Sequence, residues 1–161
     1  MTDTTFTTSY ILTDAVLEAM IGYDPRASAV ALKAAAATAQ GWYCQEATRH
    51  IDTLMLRGVK YDYDQTLEFP RIIDGVVVGD ADQNAVVPDN VERACLEEAL
   101  AIYKMMDAPE LDYKALGVQQ LQLGTGAGFQ VAFAPGAANI PTLLSPAARR
   151  LMKRYIGAVM R

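Results

Sequence analysis

Apolar residues recur along this chain at helical spacing, and this pattern predicts a mainly α-helical protein. A first helix is expected over residues 13–20, with Thr13 as its N-cap and its apolar residues on one face. A long helix is expected from Ala27 to about Met55, because this stretch is rich in alanine and lacks proline. We expect this helix to bend at Gly41, its weakest position.

Two further helices are predicted nearer the C-terminus. One begins at Pro88 or Asp89 and runs to Met106, with early acidic residues that suit the positive end of a helix. Its expected inner stripe consists of Val91, Cys95, Ala99, Ile102 and Met106. The other begins at Ser145-Pro146, an N-cap followed by a first-turn proline, and runs to about Ile156.

Two segments carry the alternation that is typical of β-hairpins. In residues 72–78 the central Asp-Gly pair suits a two-residue turn, because both positions tolerate positive φ. In residues 118–133 two alternating stretches flank a glycine-rich tip; their apolar residues are Leu121, Leu123, Phe129, Val131 and Phe133. An isolated hairpin is only marginally stable in water, so we expect the second one to pack on the helices or on a neighbouring subunit.

Together these elements predict a small helical bundle with one or two β-hairpins and a C-terminal helix on a flexible tether. Residues 134–142 contain two prolines and several small residues, which indicates a linker. We therefore divide the chain into a helical domain with hairpins, residues 1–133, and a linker with a basic C-terminal helix, residues 134–161. Residues 1–9 are rich in threonine and are expected to form an extended arm.

The composition is that of a folded globular domain. Of the 161 residues, 52% are apolar and 20% are charged, which is richer in apolar residues than a disordered chain. No run of about 18 apolar residues is present, so we expect no membrane span. The cysteines, Cys44 and Cys95, lie among apolar residues of predicted helices, and we expect them to be buried free thiols in a reducing cytosol.

Charge is distributed unevenly, although the net charge is only −5. Five basic residues and no acidic residue follow Pro146, so the remainder of the chain is strongly acidic. Such an end can contact nucleic acid, dock on an acidic protein surface, or simply face solvent. Docking is favoured because only one aromatic residue interleaves the cations, too few for base stacking. The predicted docking residues are Arg149, Arg150, Lys153, Arg154, Tyr155 and Arg161.

The chain begins a calcium-loop pattern that it does not complete. Asp80, Asp82 and Asn84 have the spacing of the first ligands. Ala85 then stands where the loop needs glycine, and Val91 stands where it needs a bidentate glutamate. We therefore interpret these residues as a polar turn before a helix and expect no metal site.

No set of residues indicates catalysis or a cofactor. The glycines of residues 124–128 join two strands and lack the lysine of a phosphate loop, so a flexible hairpin tip is expected. Asp62, Asp64 and Glu68 have the character of a solvated turn. The single histidine, His50, is interpreted as a helix-surface or interface residue. The sequence therefore predicts a protein that is not an enzyme and needs no cofactor.

Several short motifs occur in an order that resembles the head–tail connector adaptor family of tailed bacteriophages, whose members are often labelled DnaT-like single-stranded DNA-binding proteins. The motifs are A-T-R-H-I-D-T-L (47–54), L-E-F-P-R (67–71), V-P-D-N-V-E-R-A (87–94), E-E-A-L-A (97–101), the hairpin 117–135 and L-L-S-P (143–146). They cover about residues 10–157. The family typically has tryptophan before Pro-Arg, where this chain has Phe69.

The resemblance implies a subunit of a ring, usually dodecameric, that lies below the portal protein and receives the next neck or tail protein. Duplex DNA would pass through the ring without sequence-specific binding, and the C-terminal segment would reach the portal. The chain would then reside in the virion neck, and in the host cytoplasm during assembly. The alternative function is a single-stranded nucleic-acid-binding protein, as the label of the family suggests.

Overall fold

The computed structural model describes residue 5, residues 8–79, 86–107 and 143–157, and the backbone of strands 118–123 and 129–133. The helices are α1 (Asp14–Ile21), α2 (Ala27–Ala34), α3 (Ala37–Asp52), α4 (Asp89–Asp107) and α5 (Pro146–Met152). The strands are β1 (Val59–Lys60), β2 (Arg71–Ile73), β3 (Val76–Val78), β4 (Val118–Leu123) and β5 (Phe129–Phe133). The prediction of a mainly α protein with small hairpins is confirmed.

Helices α2 and α3 divide the stretch that the sequence predicts as one helix. The break falls at Ala35 and Ala36, whose backbones are extended, and not at Gly41, which is buried inside α3. The buried side-chain amide of Gln40 donates to the carbonyl oxygens of Leu32 and Lys33, at 3.2 and 3.1 Å. These bonds add a partner to two carbonyls in the last turn of α2, of which that of Leu32 also accepts from the backbone N–H of Ala35 at 3.1 Å.

The predicted hairpin of residues 72–78 is part of a three-stranded antiparallel sheet in the order β1-β2-β3. Asp74 and Gly75 have φ angles of 53° and 81°, as the predicted turn requires. The sequence did not indicate β1, which adds two residues to the edge of the hairpin. Gly58 precedes β1 with a φ of 73°, and a Cβ there would lie 2.0 Å from the carbonyl oxygen of Ile72, so glycine is required.

The L-E-F-P-R corner joins the sheet to the helical core. Phe69 is buried and packs edge-on against the rings of Tyr10 and Tyr155. The guanidinium of Arg71 is also buried, and it donates to the carbonyl oxygens of residues 57 and 58 at 2.8 and 2.7 Å. The corner therefore fixes the end of the α3–β1 connection against the sheet.

The core lies between the helices, with α4 at its centre. Of the predicted inner stripe of α4, all residues except Met106 are buried. Met106 is 57% exposed because it lies in the last turn of α4, beyond the packed part of the helix. Met55, where the sequence predicts the end of the long helix, is 60% exposed because α3 already ends at Asp52. The prediction of buried, free cysteines at Cys44 and Cys95 is confirmed.

Helix α5 packs in the same core as the other helices. Leu143, Ala148, Met152 and Tyr155 are all buried in the core cluster. The helix ends at Met152 rather than near residue 156, and the chain after it pairs with the segment that follows α3. This packing differs from the free arm that composition suggests. The predicted linker, residues 134–142, lies outside the described residues, as do most of the predicted N-terminal arm and the tips 80–85 and 124–128.

Candidate docking face of the C-terminal helix

Helix α5 begins with the predicted cap. The hydroxyl of Ser145 accepts a hydrogen bond from the backbone N–H of Ala148 at 3.2 Å, and Pro146 occupies the first turn. The cap satisfies one of the N–H groups that the first turn of a helix leaves without an intrahelical partner. The start of α5 is therefore set by local sequence.

The position of α5 is fixed by Glu98, a fully buried carboxylate on α4. Its Oε1 accepts from the backbone N–H of Leu144, and its Oε2 accepts from that of Ser145, both at 2.9 Å. A negative charge next to a helix N-terminus is also favoured by the helix dipole. We call this arrangement, Glu98 with Leu144 and Ser145, the α5 clamp.

His50 on α3 completes the α5 clamp from the outer side. Its Nδ1 lies 2.8 Å from Oε1 of Glu98, and its side chain is 36% exposed. The hydrogen bond to Glu98 raises the pKa of His50 above its usual value, although partial burial opposes this. One carboxylate therefore links α3, α4 and the start of α5.

The raised pKa of His50 predicts a dependence of stability on pH. A histidine whose pKa is higher in the folded state stabilises the fold below its unfolded pKa of about 6.5, and this contribution is lost as pH rises through the folded value. Urea unfolding between pH 5.5 and 8.5 should therefore show a loss of less than about 1 kcal/mol, since the side chain is partly exposed. His50→Gln should lack this slope, and an unchanged slope would contradict the prediction.

The outer side of α5 and of the turn that follows it presents four exposed cations, Arg149, Arg150, Lys153 and Arg154, which we call the basic face. Arg149 donates from Nε to the carbonyl oxygen of Leu143, and Arg150 donates from Nε to that of Pro146 at 3.3 Å. Among the described residues, no carboxylate forms an ion pair with any of the four. Their charge is therefore directed to solvent, or to a partner.

Tyr155 does not belong to the exposed surface, although the sequence places it among the docking residues. It is 2% exposed, and its ring packs edge-on against Phe69 with centroids 5.1 Å apart. The guanidinium of Arg154 lies 4.6 Å from the centre of the Tyr155 ring and donates to its hydroxyl. Tyr155 therefore holds Arg154 in place from below. The sixth predicted residue, Arg161, lies outside the described residues.

A groove of about 510 Å³ adjoins the basic face. Its walls are β2 and β3, the start of α4, and the end of the C-terminal segment; the lining residues are Ile73, Val77, Val78, Gly79, Pro88, Asp89, Asn90, Arg154 and Tyr155. Its lining combines the apolar side chains of Ile73, Val77 and Val78 with one acid, Asp89, and one cation, Arg154. Such a mixed lining suits an amphipathic protein segment better than a wholly apolar ligand.

The three turn carboxylates, another candidate site of the sequence, are either exposed or ion-paired. Of the three turn carboxylates, Glu68 pairs with Lys60 at 3.2 Å and with Arg71, while Asp62 and Asp64 are exposed. Within the described ranges, no group of three metal-ligating side chains is present. No helix in those ranges is both long and apolar enough to cross a membrane.

The thiols are also unsuited to nucleophilic chemistry. Burial raises the pKa of Cys44, and burial raises that of Cys95 to about 12. The hydroxyl of Thr48 lies 3.5 Å from the sulfur of Cys95, which in turn lies 3.5 Å from the carbonyl oxygen of Cys44. Thiols held protonated in this way are structural side chains.

Sequence reasoning missed Glu98 and the aromatic row on α3 and α4. Glu98 had a signal, since an acid three residues after Cys95 and four before Ile102 falls on the apolar side of a helix. The aromatic row had none, because Tyr43 and Tyr103 meet only through folding. Their ring centroids are 5.1 Å apart, and Trp42 packs against Tyr43 at 4.9 Å.

Comparison with known proteins gives one family. No curated protein and no solved structure matches the chain significantly. One family model, described as "Putative DnaT-like ssDNA binding protein", matches residues 12–154. The match covers α1 to α5, including the three residues of the α5 clamp and all four cations of the basic face. The chain therefore belongs to this DnaT-like family.

Proposed function

We propose that this chain is a structural subunit of the head–tail connector of a tailed bacteriophage. In this role it forms a ring, usually of twelve copies, below the portal protein, and it acts without catalysis or a cofactor. The observation that carries the proposal is the basic face, four exposed cations that pair with no carboxylate of the described residues and that the α5 clamp fixes to an otherwise acidic body. The protein would reside in the virion neck, and in the host cytoplasm during assembly.

The motifs of the resemblance support this role because they build the subunit rather than a reaction centre. His50 belongs to the first motif and Glu98 to the fourth, and together they hold the start of the last motif. Phe69 and Arg71 of the Phe-Pro-Arg corner are buried and hold the sheet against the core. Phenylalanine is therefore a buried aromatic residue at the place where connectors typically have tryptophan.

The charge distribution supports docking on an acidic surface of the portal. Complementary potentials bring partners together and fix their orientation, and a backbone that is already packed on the core loses little further entropy on binding. An acidic body also suits a channel, because like charge lets duplex DNA slide past without sticking. The next neck protein would bind the opposite side of the ring.

Single-strand binding is the second candidate, favoured by the description of the family and by one exposed aromatic residue. Trp42 is 44% exposed and backed by Tyr43, so its ring could stack on a base. Glu46 lies one turn after Trp42, and it already pairs with the nearby cation Arg49 at 2.7 Å. A stacking platform whose neighbouring arginine is neutralised, on a chain of net charge −5, binds a phosphate backbone poorly, so this candidate ranks second.

Two measurements on the purified chain separate the candidates. Negative-stain electron microscopy of the chain mixed with its portal should show portal rings extended by a second ring. Fluorescence anisotropy with a labelled thirty-nucleotide oligothymidine should show no submicromolar, salt-dependent binding. Tight oligonucleotide binding that Trp42→Ala abolishes, together with bare portals, would replace the connector proposal with the single-strand binder.

A further inference from the structure

The outer side of the three-stranded sheet is unusually apolar. Val59, Ile72 and Val77 are direct neighbours across the three strands and share one face, on which Tyr61 follows two residues after Val59. The opposite face, which carries Arg71 and its strand neighbours, turns toward the core. Val59 is 64% exposed and Tyr61 is 48% exposed, so this apolar row lies open along its β1 side.

An antiparallel sheet with one face on a core normally carries polar residues on its solvent face. Here the central row of that face consists of β-branched apolar residues, which gain free energy only when they are covered. Within the part of the chain that the structure describes, nothing covers Val59 or Tyr61. We call this surface, Val59, Tyr61, Ile72 and Val77, the sheet face.

The second sheet consists of β4 and β5, and its register makes it amphipathic. Leu121 pairs with Val131, and Leu123 pairs with Phe129. Strand alternation then places the five predicted apolar positions of the hairpin, including Phe133, on one face of the ribbon. Gln120, Gln122 and Gln130 fall on the other face with Ala132, while Gln119 lies at the register shift between Val118 and Gln120. A two-stranded ribbon of this kind needs a surface against which its apolar face can pack.

We propose that the apolar face of the β4–β5 hairpin of one copy packs on the sheet face of the next copy. This contact rests on the proposed function, because it supplies the joint between neighbours in the ring. It uses two different surfaces of the subunit, and such a head-to-tail contact closes into a ring when the rotation between copies allows it. Both surfaces are apolar and lack charge at their centres, as the core of a stable protein interface requires.

The chain has sufficient length for this exchange. Ten residues separate α4 from β4, and nine separate β5 from Leu143. An extended chain spans at most about 3.5 Å per residue, so the two connections reach roughly 30 Å from the core. That distance is close to the diameter of a small domain. The hairpin of one copy can therefore reach the sheet of its neighbour.

Cysteine cross-linking between two singly substituted chains tests the contact. One preparation carries Val59→Cys and the other carries Val131→Cys; the native cysteines are buried and do not compete. The mixture is oxidised both alone and after binding to the portal. We expect a disulfide-linked dimer of the two variants on a non-reducing gel in at least one of these states. Because each chain has one new thiol, a mixed dimer can arise only between copies.

The matched control replaces Val59→Cys with Val76→Cys. Val76 is also exposed, at 51%, but its register places it on the opposite face of the sheet from Val59. The control should give at least tenfold less mixed dimer. The proposal is overturned if the Val59–Val131 dimer is absent in both states. It is also overturned if a third variant, which carries both cysteines in one chain, forms the disulfide only within that chain. Portal rings without the cross-link would overturn the hairpin contact alone and leave the connector role intact.

Discussion

Glu98→Gln should lower the free energy of unfolding by about 3 kcal/mol, the largest effect expected of a single substitution that preserves side-chain size. The carboxylate accepts hydrogen bonds from two backbone N–H groups and contacts His50, all on its two oxygens. A glutamine amide has one acceptor oxygen, and its NH2 group would face a backbone donor. One buried N–H at the start of α5 would therefore lose its partner.

Urea unfolding followed by circular dichroism measures this effect, and Glu97→Gln is the matched control. Glu97 is adjacent in sequence but partly exposed, and it pairs with Arg26 at 2.6 Å. Partly exposed ion pairs contribute about 1 kcal/mol or less, so the control should remain close to the unchanged protein. Equal losses in the two variants would show that the α5 clamp does not anchor the helix.

The elements that sequence predicted best are those that local chemistry determines. Thr13 and Ser145 each cap a helix through a hydroxyl that accepts from the backbone three residues later. Asp74 and Gly75 occupy the positive-φ positions of the turn because aspartate and glycine adopt this conformation with less strain than most residues. Each of these signals is complete within a few residues, so no knowledge of the remaining fold is needed to interpret it.

The break between α2 and α3 could not be located in the same way. Four successive alanines give equal support to a continuous helix and to a helix that stops, since none offers a capping side chain. The break depends on Gln40, whose amide turns back to the end of the preceding helix. Strand β1 is similar, because two residues form a strand only beside Arg71 and Ile72.

The candidate site was predicted in part. Charged side chains are costly to bury, so four cations among six consecutive residues were expected to be exposed, and the basic face could be predicted from sequence alone. The attachment of α5 did not, because Glu98 and its backbone partners are 46 and 47 residues apart. Tyr155 was misplaced for the same reason, since its burial depends on Phe69, far away in sequence.

Reversing the four charges of the basic face should abolish joining of the subunit to the portal while leaving the subunit folded. The variant carries glutamate at Arg149, Arg150, Lys153 and Arg154. The four side chains are exposed and pair with no described carboxylate, so their reversal should cost only the hydrogen bonds of Arg149, Arg150 and Arg154, which circular dichroism of the variant checks. Each like-charge contact with an acidic portal surface, in contrast, opposes binding. Sedimentation with purified portal should show a loss of at least a hundredfold in affinity, about 2.7 kcal/mol.

The control variant must carry the same total charge on another surface, because net repulsion alone could weaken binding. Glutamate at Lys33, Arg49, Arg93 and Lys104, all exposed and all outside α5, meets this requirement. We expect this control to retain portal binding within about threefold, a difference of under 1 kcal/mol. Equal losses of portal affinity in the two variants would show that overall charge, and not the position of the cations, weakens binding. The reversed face can no longer attract an acidic partner. If phage that carry this variant still package DNA and join tails normally, the docking role is wrong.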